Sequence, residues 1–163
     1  MITKVKDLII ANIGEQAIVR VEEEHLQPIL VLQAESLVEI AFLLRDTAEY
    51  YFDFLSNISA VDYHPDARFA VVYHLASIPY QTQLTLKVEV ENDRRSDNLP
   101  EVPSVASVWR TAEWHEREAF DLMGVFFTGH PDLRRILLPD DWQGYPLRKD
   151  YEDAETYHGI AIK

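Results

Sequence analysis

The stretch RFAVVYHLASIPYQTQLTLKVEV, residues 68–90, carries two β-strands in succession. Arg68 to Leu75 is rich in Phe, Val and Tyr, side chains that fit a pleated, half-buried surface. Gln83 to Val90 alternates Leu84, Leu86, Val88 and Val90 with polar residues, a period of two. Strict alternation predicts a sheet with one buried and one wet face. An earlier strand, Ile58 to Tyr63, pairs beside them, because His64-Pro65-Asp66 makes a turn before Arg68.

Upstream of this sheet the pattern is helical first. Ile2, Val5, Leu8, Ile9 and Ile13 share one face of a helix over Ile2 to Ile13, with Gly14 just beyond as a stop. Ala17 to Val21 alternates as a strand, and Pro28 to Leu32 is a compact apolar run of strand length. Ser36 with Glu39 three residues on spells a capping box, opening a second helix through Leu37, Ile40, Ala41 and Leu44 that ends near Arg45. Downstream, Asp93 to Pro103 reads as a polar loop. Ser104 then caps a helix through Val105, Val108, Trp109 and Ala112, and Gly124 ends it. Beyond Val125, prolines 131, 139 and 146 and glycines 129 and 144 prevent long regular elements. The expected fold class is α+β: N-terminal helices packed on a mixed, mostly antiparallel sheet, followed by a helix and an extended irregular C-terminal segment.

With 163 residues, 47% of them hydrophobic, the chain is expected to form one domain. Its parts are an α/β core over 1–92, a helical region over 104–124 and an extended docking segment over 125–163. The absence of cysteine removes disulfides, thiolate zinc sites, cysteine nucleophiles and ordinary iron–sulfur ligation. A net charge of −13 repels nucleic-acid phosphates and anionic lipid headgroups, so no nucleic acid is expected as a partner. No apolar run approaches the roughly 18 residues of a membrane span. The apolar stretch after Lys4 and Lys6 is short and lacks a small-residue cleavage site, so no signal peptide is expected.

Candidate chemistry weakens on inspection. His115-Glu116 is similar to the start of a zinc-protease helix, but Ala119 stands where the second histidine ligand belongs. Glu116 and Glu118, two apart on a helix, point in different directions. Arg117 and Asp121, four apart, can meet, and Glu118 and Asp121 share a face, which suggests an ion-pair surface. Asp140-Asp141 could bind a hard cation, yet after Pro139 they serve equally well as turn residues, with Trp142 as an anchor. The five glycines stand singly, without a phosphate loop. Histidines 25, 64, 74, 130 and 158 lack ligand-like spacing, and His74 reads as a sheet residue.

One run stands apart: Glu116 to Tyr151, EREAFDLMGVFFTGHPDLRRILLPDDWQGYPLRKDY, holds five of the chain's fifteen basic residues and seven acids. Arg134, Arg135, Arg148 and Lys149 are threaded among Asp132, Asp140, Asp141 and Asp150 on proline-fixed loops. Arginine and aromatic residues on such loops suit a protein interface, since arginine makes forked bonds and proline lowers the cost of ordering. An intramolecular ion-pair web is the other reading.

This run resembles the 30-kilodalton subunit, also called the C subunit, of the proton-pumping NADH:quinone oxidoreductase, respiratory complex I. The matching residues are Glu116-Arg117-Glu118, Asp121, Gly124, Gly129-His130-Pro131-Asp132-Leu133-Arg134-Arg135-Ile136-Leu137, Asp140-Asp141-Trp142 and Gly144-Tyr145-Pro146-Leu147-Arg148-Lys149-Asp150-Tyr151. Weaker similarity runs through Ile58 to Tyr63 and Val71 to Leu75, so the resemblance covers about Ser56 to Tyr151. Many members have His where Tyr145 stands and Pro where Glu152 stands, differences that bear on a local turn.

The resemblance implies a peripheral-arm subunit with no cofactor and no catalytic residue of its own. It would pack against the large quinone-site subunit and neighbouring iron–sulfur subunits, and touch the membrane only through the complex, on the cytoplasmic face of a bacterial cell membrane. FMN, iron–sulfur clusters and quinone would be bound by the other subunits. The interface or fold-locking residues would be Glu116, Arg117, Glu118, Asp121, His130, Pro131, Arg134, Arg135, Asp140, Asp141, Trp142, Arg148, Lys149 and Asp150. The same signature fits the equivalent subunit of a plastoquinone reductase, an archaeal coenzyme dehydrogenase or a membrane-bound hydrogenase. A reading of another class is a free-standing hydrolase using Glu116, Glu118 or Asp141.

Overall fold

The computed structural model describes residues 1–24, 27–95 and 98–161; His25 and part of the 93–103 loop fall outside the described residues. Strands β1 (Ile18–Glu22), β2 (Ile29–Leu32), β3 (Phe54–Asp62), β4 (Arg68–Ser77) and β5 (Thr82–Glu91) form a sheet in the order β1-β2-β5-β4-β3. Every pairing is antiparallel except β2 with β5, so the sheet is mixed. The alternation seen in the sequence sets the central register: Phe69, Val71, Tyr73 and Leu75 pair with Val90, Val88, Leu86 and Leu84. All eight side chains therefore lie on one face. Against it pack Val5 and Ile9 of α1 (Ile2–Asn12), Leu37, Ile40 and Leu44 of α2 (Leu37–Asp46), and Ala112, Ala119 and Met123 of α3 (Ala112–Met123). Each large aliphatic or aromatic side chain fully buried there contributes about 1.5–3 kcal/mol. The opposite face carries charge, and there the Lys87 ammonium is buried between Glu22 at 2.6 Å and Glu89 at 3.4 Å.

Four expectations need correction. Strand β3 begins at Phe54, because a register shift between Leu55 and Asn57 breaks the alternation that would have revealed it. The capping box at Ser36 makes no side-chain bond: Ser36 already has helical backbone angles, as the last residue of a 3₁₀ turn over Ala34–Ser36. The polar loop contains a strand, β6 (Glu101–Pro103), which pairs in parallel with β7 (Phe126–Thr128). Helix α3 starts at Ala112 rather than after Ser104.

The delay of α3 has a local cause. Ser104 Oγ accepts from Ala106 N at 3.1 Å and is hydrogen-bonded to the Glu116 carboxyl, so it closes a turn of its own. Trp109 Nε1 donates to Phe52 O at 3.0 Å and Thr111 Oγ1 to Leu55 O at 3.3 Å. These bonds fold residues 105–111 as turns that seat Val105, Val108 and Trp109 in the core. Apolar spacing that reads as helical is thus met by tertiary anchors.

Candidate docking segment

From Gly129 onward the chain runs as an extended strap, and four arginines and two carboxylates tie it down. Asp121, on the inner side of α3 and 0% exposed, points into the strap's first bend. Its Oδ2 accepts the backbone N–H groups of Ile136, Leu137 and Leu138 at 3.0, 2.7 and 2.9 Å, and Oδ1 accepts from Arg135 Nη1 at 2.8 Å. Burial alone would raise its pKa, but three N–H donors and the guanidinium outweigh burial and hold it below the ordinary carboxylate value. Arg135 also donates to the carbonyls of Trp142 and Gly144, which joins two bends of the strap.

The expected contact between Arg117 and Asp121 is absent. Arg117 instead donates to the carbonyls of Arg134 at 3.1 Å and Arg135 at 3.0 Å, while Asp121 takes Arg135. Both side chains are buried, with Glu116, so this stretch of α3 is an interior face and not an ion-pair surface. Glu118 points the other way and is exposed, so it does not share the Asp121 environment.

The strap returns to cap α3. Gly124 takes the left-handed conformation at the end of the helix (φ 67°). The carbonyls left without helical partners are met in trans: Leu147 N donates to Leu122 O, and Arg148 donates to Met123 O at 2.8 Å and Gly124 O at 3.2 Å. A guanidinium at a helix C-terminus also complements the helix dipole. Arg148 is stacked between the rings of Phe69 and Tyr145, at 5.0 and 4.7 Å.

A second carboxylate secures the far end. Asp62, buried at the close of β3, accepts from Lys149 N at 2.9 Å and His64 N at 2.8 Å and pairs with Arg94, which also reaches Asp150. Burial pushes the Asp62 carboxyl up, yet Arg94 and the two N–H donors prevail and hold it at about 2. Sequence reasoning misses Asp62, Arg94 and Ser104 as residues of this segment. Arg94 stands in a loop that reads only as polar, and an aspartate on a core-facing strand position is the one available signal.

The remaining residues are placed as follows. His130 lies under the strap's start, bonded to Glu113 O at 3.0 Å, and Pro131 follows it, exposed. Arg134 is exposed and pairs with Asp132 at 2.8 Å. Asp140 and Asp141 are exposed; Asp141 accepts from Tyr157 Oη, whose ring lies 5.8 Å from that of Trp142. Trp142 N closes a turn onto Pro139 O. The Lys149 side chain is exposed. Glu116, Glu118 and Asp141, the carboxylates a hydrolase would need, have separate surroundings: buried on Ser104, exposed on α3, and in the tail beside His158. Among the described residues no group of three or more His, Asp or Glu is placed to hold a metal ion, and no helix is long and apolar enough to cross a membrane.

Fold and segment define an α+β protein whose C-terminal segment from Gly129 is a strap held to sheet and helix by backbone-directed charges. Comparison with known proteins narrows this class. Residues 30–157 match the family described as the respiratory-chain NADH dehydrogenase 30 Kd subunit. The chain is 49% identical over 124 residues to the C subunit of an NADH-quinone oxidoreductase from Chloroherpeton thalassium, covering 76% of this chain and 49% of that one. It is 45% identical over 133 residues to the C subunit of the Chlorobium phaeobacteroides NADH-quinone oxidoreductase, 81% of this chain and 77% of that one. A chain of the membrane-bound sulfane sulfur reductase, an archaeal respiratory membrane complex, superposes with a TM-score of 0.73 at 22% identity, covering 92% of this chain and 84% of that one, and so shares the fold. This chain belongs to the family of the respiratory-chain NADH dehydrogenase 30 Kd subunit. It spans about half the length of the Chloroherpeton relative.

Proposed function

We propose that the chain is a non-catalytic peripheral subunit of a membrane-bound NADH:quinone oxidoreductase. It docks through the outer side of the strap onto the large quinone-site subunit and neighbouring iron–sulfur subunits, on the cytoplasmic face of the membrane. FMN, iron–sulfur clusters and quinone belong to those other subunits. The observation that carries this reading is that the strap is tied from beneath while Leu137 and Leu147 stay 61% and 59% exposed on top. Side chains displayed on a backbone that is already ordered bind a partner at lower entropic cost. The names of the relatives supply the complex, and the chain's own chemistry supplies the docking role.

Isolation from native membranes in mild detergent tests it, with a tagged chain carrying Arg134→Ala and Leu137→Ala. The double variant should stay folded, while the amount of assembled complex and the NADH:quinone reductase activity fall together. Normal assembly with both side chains removed would count against docking through the strap.

A further inference from the structure

Under the strap's first residues, one titratable group is placed so that either of its protonation states can be served. Glu116 is 0% exposed; its Oε2 lies 2.5 Å from Ser104 Oγ, within hydrogen-bond distance, and its Oε1 accepts from Val105 N at 2.8 Å. Its only ion-pair contact among the described residues is with His130, whose Nε2 stands 4.0 Å away. The titratable groups that face it are Glu113 from its own helix, Tyr73 from β4 and His130 from the strap. Glu113 opposes a negative charge at Glu116, and Tyr73, fully buried, has its own pKa pushed well up by burial and offers no cation.

Two neighbours can answer a change of charge. Ser104 Oγ accepts from Ala106 N, which leaves it one lone pair and one rotating proton. It can accept from a protonated Glu116 or donate to an ionised one. His130 Nδ1 accepts from Asp132 N at 3.0 Å, so Nε2 is the ring's donor and its proton goes to Glu113 O at 3.0 Å.

We propose that Glu116 and His130 form a proton-operated latch under the strap. With Glu116 protonated, its O–H donates to Ser104 Oγ and His130 rests on the Glu113 carbonyl. When the acid gives its proton to solvent water, the Ser104 hydroxyl turns to donate. The His130 N–H then leaves the carbonyl for the carboxylate, closing the 4.0 Å gap. A carboxylate is the better acceptor, since a charge-assisted bond is about twice as strong as a neutral one. The ring's swing withdraws Nδ1 from Asp132 N–H and so moves the strap at residues 130–132. Burial raises the Glu116 carboxyl, against the Ser104 and Val105 bonds, to about 7, which sets the latch near neutral pH.

NMR of the full chain from about pH 5.5 to about pH 8.5 tests the latch across this range. The Asp132 amide resonance should move with a midpoint near 7, and in Glu116→Gln it should stay at its low-pH position. A resonance that does not move, or that moves unchanged in Glu116→Gln, overturns the proposal. Should that variant fail to fold, the Glu116 side-chain carboxyl is followed in the unaltered chain. The same midpoint at the carboxyl and at the Asp132 amide supports the latch; a flat carboxyl or a different midpoint overturns it.

Discussion

Asp121 and Arg135 meet at 2.8 Å beneath the strap, and each spends its remaining bonds on backbone: the carboxylate on three N–H groups, the guanidinium on carbonyls at 121, 142 and 144. The pair fixes a main-chain path. Asp121→Asn keeps one acceptor oxygen but leaves the partly buried Arg135 guanidinium, 18% exposed, without its counter-charge, and losing such a charge-assisted bond costs about 1.5–3 kcal/mol. Denaturant titration should show a loss of this size, with faster proteolysis in residues 129–151. The double variant Asp121→Asn/Arg135→Gln should lose less than the two single changes added together, because the stranded charge is gone.

Gly124→Ala should destabilise by more than the roughly 1 kcal/mol that a left-handed backbone costs a non-glycine residue. A Cβ at this position would lie 2.6 Å from the Tyr145 ring and 2.7 Å from Arg148 Nη2, so it pushes against the two side chains that close the helix end. A thermal melt gives the size. An unchanged melt would mean that the strap does not seat on α3 as described.

How much could be read beforehand follows from range. Strands β4 and β5 were legible because alternation is local and their pairing is a hairpin. The helix expected after Ser104 was misplaced because Trp109 and Thr111 answer to the carbonyls of Phe52 and Leu55, partners more than fifty residues away. The charges of the strap were legible as a set, yet their pairing was not. Arg117 has a carboxylate one turn ahead and takes two carbonyls of the strap instead, while that carboxylate is occupied by Arg135 and three N–H groups. Arg94 was invisible for the same reason, since its bond to Asp62 spans 32 residues, and Asp62 is signalled only by its core-facing strand position.

Two buried carboxylates should bend the stability curve in opposite directions. Asp62 has an ordinary value of 3.8 and sits at about 2 when folded, so its contribution is complete above 3.8 and disappears as the pH falls through 2. A shift of this size corresponds to about 2 kcal/mol. Glu116 goes from 4.5 to about 7, so its contribution is complete below 4.5 and is lost as the pH rises through 7, about 3 kcal/mol in all. Urea midpoints measured across the pH range should show both limbs. Asp62→Asn should flatten the acid limb and Glu116→Gln the neutral one.

Arg134 and Arg135 are adjacent in sequence and opposite in surroundings. Arg134 is exposed and paired with Asp132 on the surface, where solvent screens such pairs, and Arg134→Ala should leave the melting temperature nearly unchanged. Arg135→Ala deprives Asp121 of its counter-charge and frees the carbonyls of Trp142 and Gly144, so it should destabilise by about 3 kcal/mol or more. If the strap docks as proposed, assembly of the complex should suffer in both variants for different reasons: a lost partner contact in the first, a loosened strap in the second. Adding purified chain in excess separates them, because Arg134→Ala should associate weakly at every temperature, whereas Arg135→Ala should recover association on cooling as its strap refolds. Equal melting temperatures for the two variants would contradict the burial that distinguishes them.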